Sequence, residues 1–199
     1  MKTLHLLRHA KSSWDEPYRT DRERGLNRRG RRDAPRMGRA LAGEITPLPV
    51  LVSPARRAQL TLAGLCEGWP DMADLPHTTV EALYTFSAGD LFELLCEYDD
   101  AHDAVFLIGH NPAFTDLINT LASDEPLDNL PTAGYARLAL NITRWDQLTP
   151  GCGTLECLLL PLGFWAGARK GKGWRTRLMD GIVWAFGVWV LSAAAFTLL

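Results

Sequence analysis

Residues 104–109 read AVFLIG, six apolar residues in a row between Asp103 and His110. A strand this continuous must be covered on both faces, as strands are in a parallel sheet sandwiched between helices. The rest of the chain fits that demand. Thr3–Leu7 and Val50–Ser53 read as further short apolar strands, Thr79–Ala82 as an edge strand, and Ala136–Ile142 and Thr154–Leu160 as two closing strands. Between them, apolar spacing predicts helices over Asn27–Gly43, Arg56–Glu67, Asp90–Glu97 and Ala113–Leu121, the last with Pro112 near its first turn. Strands alternating with helices predict an α/β fold: a central, mostly parallel sheet flanked by helices on both faces.

Three of these strands end in the same way, by running straight into basic and imidazole side chains. The LHLL run leads into Arg8-His9, VLV into Ser53-Pro54-Ala55-Arg56-Arg57, and AVFLIG into His110-Asn111-Pro112. Open α/β sheets bind ligands beyond the carboxyl ends of their strands. Two histidines and two or three arginines are thus delivered to one edge, where helix N-termini add positive potential. That inventory favours a phosphate-like anion.

The segments RHAKSSW, LNRRGRRDA, SPARRAQ, EALY and GHNP occur in this order. Together they resemble the SixA-type phosphohistidine phosphatases of the histidine phosphatase superfamily, which also contains the phosphoglycerate mutases. The resemblance runs from residue 1 to about residue 161. It implies a phosphoglycerate mutase-like fold and a phosphatase that works through a phosphohistidine enzyme intermediate, without metal or cofactor. By the same resemblance His9 is the nucleophile, while Arg8, Arg57 and His110 bind the phosphate, His110 as a protonated donor. Arg8 and Arg57 would keep His9 neutral by like-charge repulsion. Glu81, opening EALY, is the candidate general acid, with a solvated strand-end carboxylate as the alternative. Arg56 is one residue early and is expected to point elsewhere. Ala10 stands where the family has glycine, and its methyl could narrow the approach to phosphate. Backbone N–H groups near Ala10 and Lys11 and the Ser12 or Ser13 hydroxyls are further candidate contacts. The substrate implied is phosphohistidine in a protein. The rivals are a phosphatase of small phosphate esters and a non-catalytic, membrane-bound phosphate-recognition module.

Other patterns carry less. His5 lies four residues before His9, but on a strand, so a core or edge histidine is expected there rather than a metal ligand. Nine arginines crowd Arg19–Arg39, yet Asp21, Glu23 and Asp33 interleave and aromatics are sparse. A solvated face or a rim for an acidic partner protein is expected, and no nucleic acid. Cys66, Cys96, Cys152 and Cys157 form no CxxC pair, which points to reduced thiols in a cytosolic compartment.

The net charge of −2 hides a division. Residues 169–199 hold five of the 21 basic residues and one of the 23 acidic ones, leaving 16 against 22, or −6, for residues 1–168. Beyond this basic collar, residues 181–199 (GIVWAFGVWVLSAAAFTLL) carry no charge. As a helix they would extend about 28 Å, close to the hydrocarbon thickness of a bilayer. The expected organisation is a catalytic domain over 1–161, a basic linker over 162–180 and a C-terminal transmembrane helix over 181–199. The positive-inside rule then puts the domain on the cytoplasmic side of a membrane.

Overall fold

The computed structural model describes residues 1–15, 20–122 and 126–161, and the backbone of residues 175–178. Its elements are β1 (Lys2–Arg8), α1 (Arg28–Ala42), β2 (Val50–Val52), α2 (Arg56–Gly68), β3 (His77–Thr79), α3 (Ala88–Cys96), β4 (Ala104–Gly109), α4 (Ala113–Leu121), β5 (Tyr135–Leu140), β6 (Gly153–Leu160) and β7 (Arg175–Leu178). They form one sheet in the order β3-β2-β4-β1-β5-β6-β7. The α/β expectation and the phosphoglycerate mutase-like layering hold. Along β4, Val105 and Leu107 join a core with Phe114, Leu117 and Leu91 of α4 and α3. Phe106 and Ile108 join a second core with Met37, Leu41 and Leu65 of α1 and α2. Alternate residues of one strand thus feed two cores, which is why AVFLIG has no polar position.

The sheet is mixed rather than mostly parallel. β1–β4, β4–β2, β2–β3 and β6–β7 run parallel, but β5 is antiparallel to both β1 and β6. The reason lies in the connections. α4 leads away from the carboxyl end of β4, and the chain then returns to that end, where the Ala133 N–H donates to the Arg8 carbonyl at 3.1 Å. β5 therefore starts opposite Leu7 and must run against β1. The edge strand also shifts: it spans His77–Thr79, and Glu81–Leu83 forms a 3₁₀ turn.

The transmembrane helix is a second correction. Among the described residues no helix is long and apolar enough to cross a membrane. The segment 181–199, on which that expectation rests, lies outside the described residues. A membrane-anchored location is accordingly not supported. Within the expected linker, residues 175–178 pair alongside β6.

Two helices place the functional edge. Asn27 caps α1 by accepting the Gly30 N–H at 2.9 Å. α1 and α2 then meet at backbone distance. A Cβ on Gly38 would overlap the Leu65 carbonyl oxygen, and one on Gly68 the Pro35 carbonyl oxygen. This contact fixes the bearing of α2, whose first turn carries Arg57. Gly68→Ala is expected to destabilise the fold by about 1–3 kcal/mol, because two backbones must separate. Gly43→Ala, whose Cβ would meet only the Ala40 oxygen at 3.8 Å, serves as the near-neutral comparison in urea denaturation.

Candidate active site

β2, β4 and β1 are adjacent and parallel, so their carboxyl ends lie side by side. His9 follows β1, with its N–H on the Gly109 carbonyl at 3.0 Å. His110 follows β4. Ser53 follows β2, with its N–H on the Ile108 carbonyl at 2.9 Å, and α2 starts three residues later. The imidazoles of His9 and His110 come within 5.0 Å, centroid to centroid. The Arg57 guanidinium, 1% exposed, bridges them: Nε donates to His9 Nε2 at 3.2 Å and Nη2 lies 3.3 Å from His110 Nδ1.

These bonds define the tautomers. His9 Nδ1 is 2.8 Å from the Ala10 carbonyl, so it carries the proton and Nε2 presents its lone pair to Arg57. His110 Nδ1 likewise faces a donor, so its Nε2–H goes to Ser53 Oγ at 2.7 Å. Burial pushes both imidazoles toward the neutral form. It holds His9 well below its usual value, aided by His110, Arg57 and Arg8, and takes His110 down to about 3, aided mainly by Arg57. The expected protonated His110 is therefore corrected to a neutral ring.

Arg8 ends β1, and its charge also disfavours protonation of both rings. Its Nη1 donates to the Leu130 carbonyl at 2.6 Å and to Asn129 Oδ1 at 3.1 Å. Asn111 Nδ2 binds the same two acceptors. Arg8 Nε is buried without a hydrogen-bond partner among the described residues. Such a donor is costly to leave unmade and suits an anion.

Glu81 is not joined to the imidazoles. Its side chain is 72% exposed and accepts from Arg22 Nη2 at 2.6 Å. Arg56 is exposed and lines a cleft of about 480 Å³ with Thr20, Arg22, Glu23 and Pro54. The Ala10 methyl packs with Leu26, Ala34 and Ala133, so it takes no space from a ligand. The Ala10 N–H donates to Thr61 Oγ1 at 2.9 Å, Ser12 Oγ accepts from Arg24 Nη1, and Ser13 Oγ donates to Asp15. The Ala10 and Ser13 donors expected for phosphate are thus engaged elsewhere, while Ser12 acts as an acceptor. His5 is a buried core residue bonded to Tyr135 Oη at 2.7 Å.

Four contributors escape sequence reading. Ser53 opens the SPARR segment, but its hydroxyl gains meaning only when β2 is placed beside β4. Tyr84 stands edge-on to His110 at 5.5 Å, and Phe86, about half exposed, lies 5.7 Å from the same ring. Asp21 sits in an arginine-rich stretch that reads as solvated. It instead reaches Arg57, with Nη1 donating to its carbonyl at 2.5 Å and Nη2 to Oδ2 at 2.9 Å. Burial pushes its carboxyl up, but bonds from Arg24 and Tyr84 and the Arg57 charge outweigh this and hold it at about 2. Among the described residues, no group of three or more His, Cys, Asp or Glu side chains could hold a metal ion.

Two imidazoles and a guanidinium on one sheet edge can grip a phosphoryl group and present a nitrogen to it. Known proteins bear on this directly. Residues 4–106 match the model of the histidine phosphatase superfamily, branch 1. An uncharacterized protein of Mycobacterium tuberculosis, Rv1276c, is 31% identical over 167 residues, covering 78% of this chain and 99% of that protein. The fold is shared with the protein histidine phosphatase SixA complexed with tungstate, at a TM-score of 0.64 and 23% identity over 78% of this chain and 95% of that one. It is also shared with a mycobacterial glucosyl-3-phosphoglycerate phosphatase, Rv2419c, at 0.56 and 16% over 77% and 96%. By the family match over more than half of its length, the chain is a phosphatase of the histidine phosphatase superfamily, branch 1.

Proposed function

We propose that the chain hydrolyses phosphohistidine in proteins through a phosphoryl-His9 intermediate, without a metal. The observation that carries this reading is the Nε/Nη2 edge of Arg57, which touches the lone-pair nitrogens of His9 and His110 at once. A PO₃ group entering there takes the place of those two internal bonds. His9 Nε2 attacks phosphorus while Arg57 and Arg8 receive the non-bridging oxygens. The P–N bond of the substrate breaks, and its electron pair returns to a leaving imidazole. That ring, already protonated on its other nitrogen, departs neutral. His9 keeps its Nδ1–H on the Ala10 carbonyl, which stabilises the positive charge that develops on the ring. Water then attacks phosphorus, the P–Nε2 bond breaks, and the product leaves as dihydrogen phosphate. Ser53 serves both tautomers of His110: its hydroxyl can donate to Nε2, so that Nδ1–H turns to a phosphoryl oxygen.

The acid requirement supports the choice of substrate. A phosphate ester must expel an alkoxide, which needs a proton from a neighbouring acid. Of the carboxylates considered, Asp21 is bonded to Arg57 of this cluster and to Arg24, and Glu81 is paired with Arg22 outside it. Both accept hydrogen bonds from arginine donors. Exchange between two imidazoles needs no such acid.

Incubation with a phosphohistidine peptide should yield an acid-labile phosphoenzyme, seen by rapid quench. His9→Ala should abolish it and lower turnover by about three orders of magnitude or more. Arg57→Lys should cost about 10²-fold, having lost the planar fork. Glu81→Gln should leave phosphohistidine turnover within about twofold; a collapse would make Glu81 the acid. Faster turnover of sugar phosphates than of the peptide would favour the ester reading, and no phosphoenzyme with any donor would favour a binding module.

The pH dependence has a defined sign. Because folding depresses the His9 pKa, its neutral nucleophile persists as pH falls. Between pH 7 and 5 the rate of phosphoenzyme formation should change little, whereas an imidazole of pKa 6.5 would lose roughly 25-fold. Stability moves the other way. His5, His9 and His110 bind protons in the unfolded chain at pH values where the native rings stay neutral, with His5 at about 4 and His110 at about 3. Stability should therefore fall as pH drops from 6.5 toward 4, by about 1.4 kcal/mol per pH unit for each such ring, measured by urea titration.

A further inference from the structure

We propose that Asp21 is a positioning residue that aims Arg57, a role that rests on the phosphoryl-transfer reading above. Arg57 is gripped on two sides. Its Nε and Nη2 face the two imidazoles, while Nη1 and Nη2 meet the carbonyl and carboxylate of Asp21. A guanidinium is rigid and planar, so holding the Nη1/Nη2 end fixes the direction of the Nε/Nη2 edge. That edge is the one a phosphoryl group would meet as it reaches His9 Nε2.

Asp21 is itself held from two directions. Arg24 donates to Oδ1 through Nε at 3.0 Å and Nη2 at 2.5 Å, and Tyr84 Oη donates to Oδ2 at 2.9 Å. Arg24 in turn stacks on Trp14 at 3.7 Å and bonds Ser12, both in the segment after His9. Tyr84 comes from the 3₁₀ turn after β3 and lies against His110. Asp21 therefore links the His9 loop, α2 and the segment after β3 at one carboxylate. Its negative charge opposes anion binding, so its contribution is one of direction. It should appear in the chemical step and not in phosphate affinity.

The test is Asp21→Asn in the full chain, with the phosphohistidine peptide as probe. We expect phosphoenzyme formation at saturation to slow by about tenfold or more. KM should stay level or fall, since a carboxylate near the anion is lost, and the thermal midpoint should drop, since the buried Arg57 loses its counter-charge, so rates are compared well below it. In an Arg57→Lys background the same substitution should change the rate by less than about twofold, because the group being aimed is gone. Tyr84→Phe, which removes one bond to Asp21 and spares both charges, should give a smaller loss of the same kind, and it stands in should Asp21→Asn fold poorly. A rate within twofold of the parent, a raised KM with unchanged rate, or an equal loss in the Arg57→Lys background would overturn the assignment. A second readout needs no turnover. Slowly rotating Arg57 Nη–H signals should be resolved by NMR in the parent and averaged in Asp21→Asn. Should the parent form no phosphoenzyme, the phosphohistidine reading fails, and the NMR comparison still decides whether Asp21 fixes the guanidinium.

Discussion

The arrangement depends on one buried cation between two neutral bases. Arg57 is almost wholly enclosed, and a charge in that position is tolerated only when its donors are matched. Its four partner groups come from three residues: His9 after β1, His110 after β4, and Asp21 with its carbonyl and carboxylate. The same contacts that let the guanidinium stay buried leave both imidazoles unprotonated. The nucleophilic role proposed for His9 needs that free lone pair, so the structural requirement and the proposed chemical one coincide.

The framework around this cation is correspondingly stiff. Adjacent parallel strands bring three carboxyl ends within side-chain reach, and α2 carries Arg57 on its first turn. The bearing of α2 is set against α1 at Gly38 and Gly68, where backbone meets backbone. α1 and the segment before it also shelter the residue after His9, since Ala34 and Leu26 pack with Ala10. Thr61 completes the link: it accepts the Ala10 N–H and donates to the Arg57 carbonyl at 2.6 Å. The His9 loop and the helix that carries Arg57 are thereby joined through one hydroxyl.

Most elements were legible because each rests on a local pattern. The six-residue run over Ala104–Gly109 and the helix over Ala113–Leu121 coincide with β4 and α4. The edge strand starts two residues and ends three residues earlier than expected, since nothing in HTTVEAL distinguishes a short exposed strand from the turn after it. Among the site residues, His9, Arg57 and His110 stand together as their strand-end positions suggested. Glu81 does not join them, because Arg22, far from it in sequence, claims its carboxylate. Asp21 was hidden for the same reason: a charge among arginines looks solvated until a distant helix is seen to lie over it.

The sequence by itself determined the kinds of element, the alternation that makes an α/β sheet, and the residues that end three of its strands. Those are properties of composition and period, read over a few neighbours at a time. Tertiary structure alone decided that β5 runs against β1, that His110 is a neutral ring bonded to Ser53, and that Asp21 rather than solvent faces Arg57. Strand direction, burial and bonds between remote residues depend on where the chain returns in space, and no local pattern encodes that return.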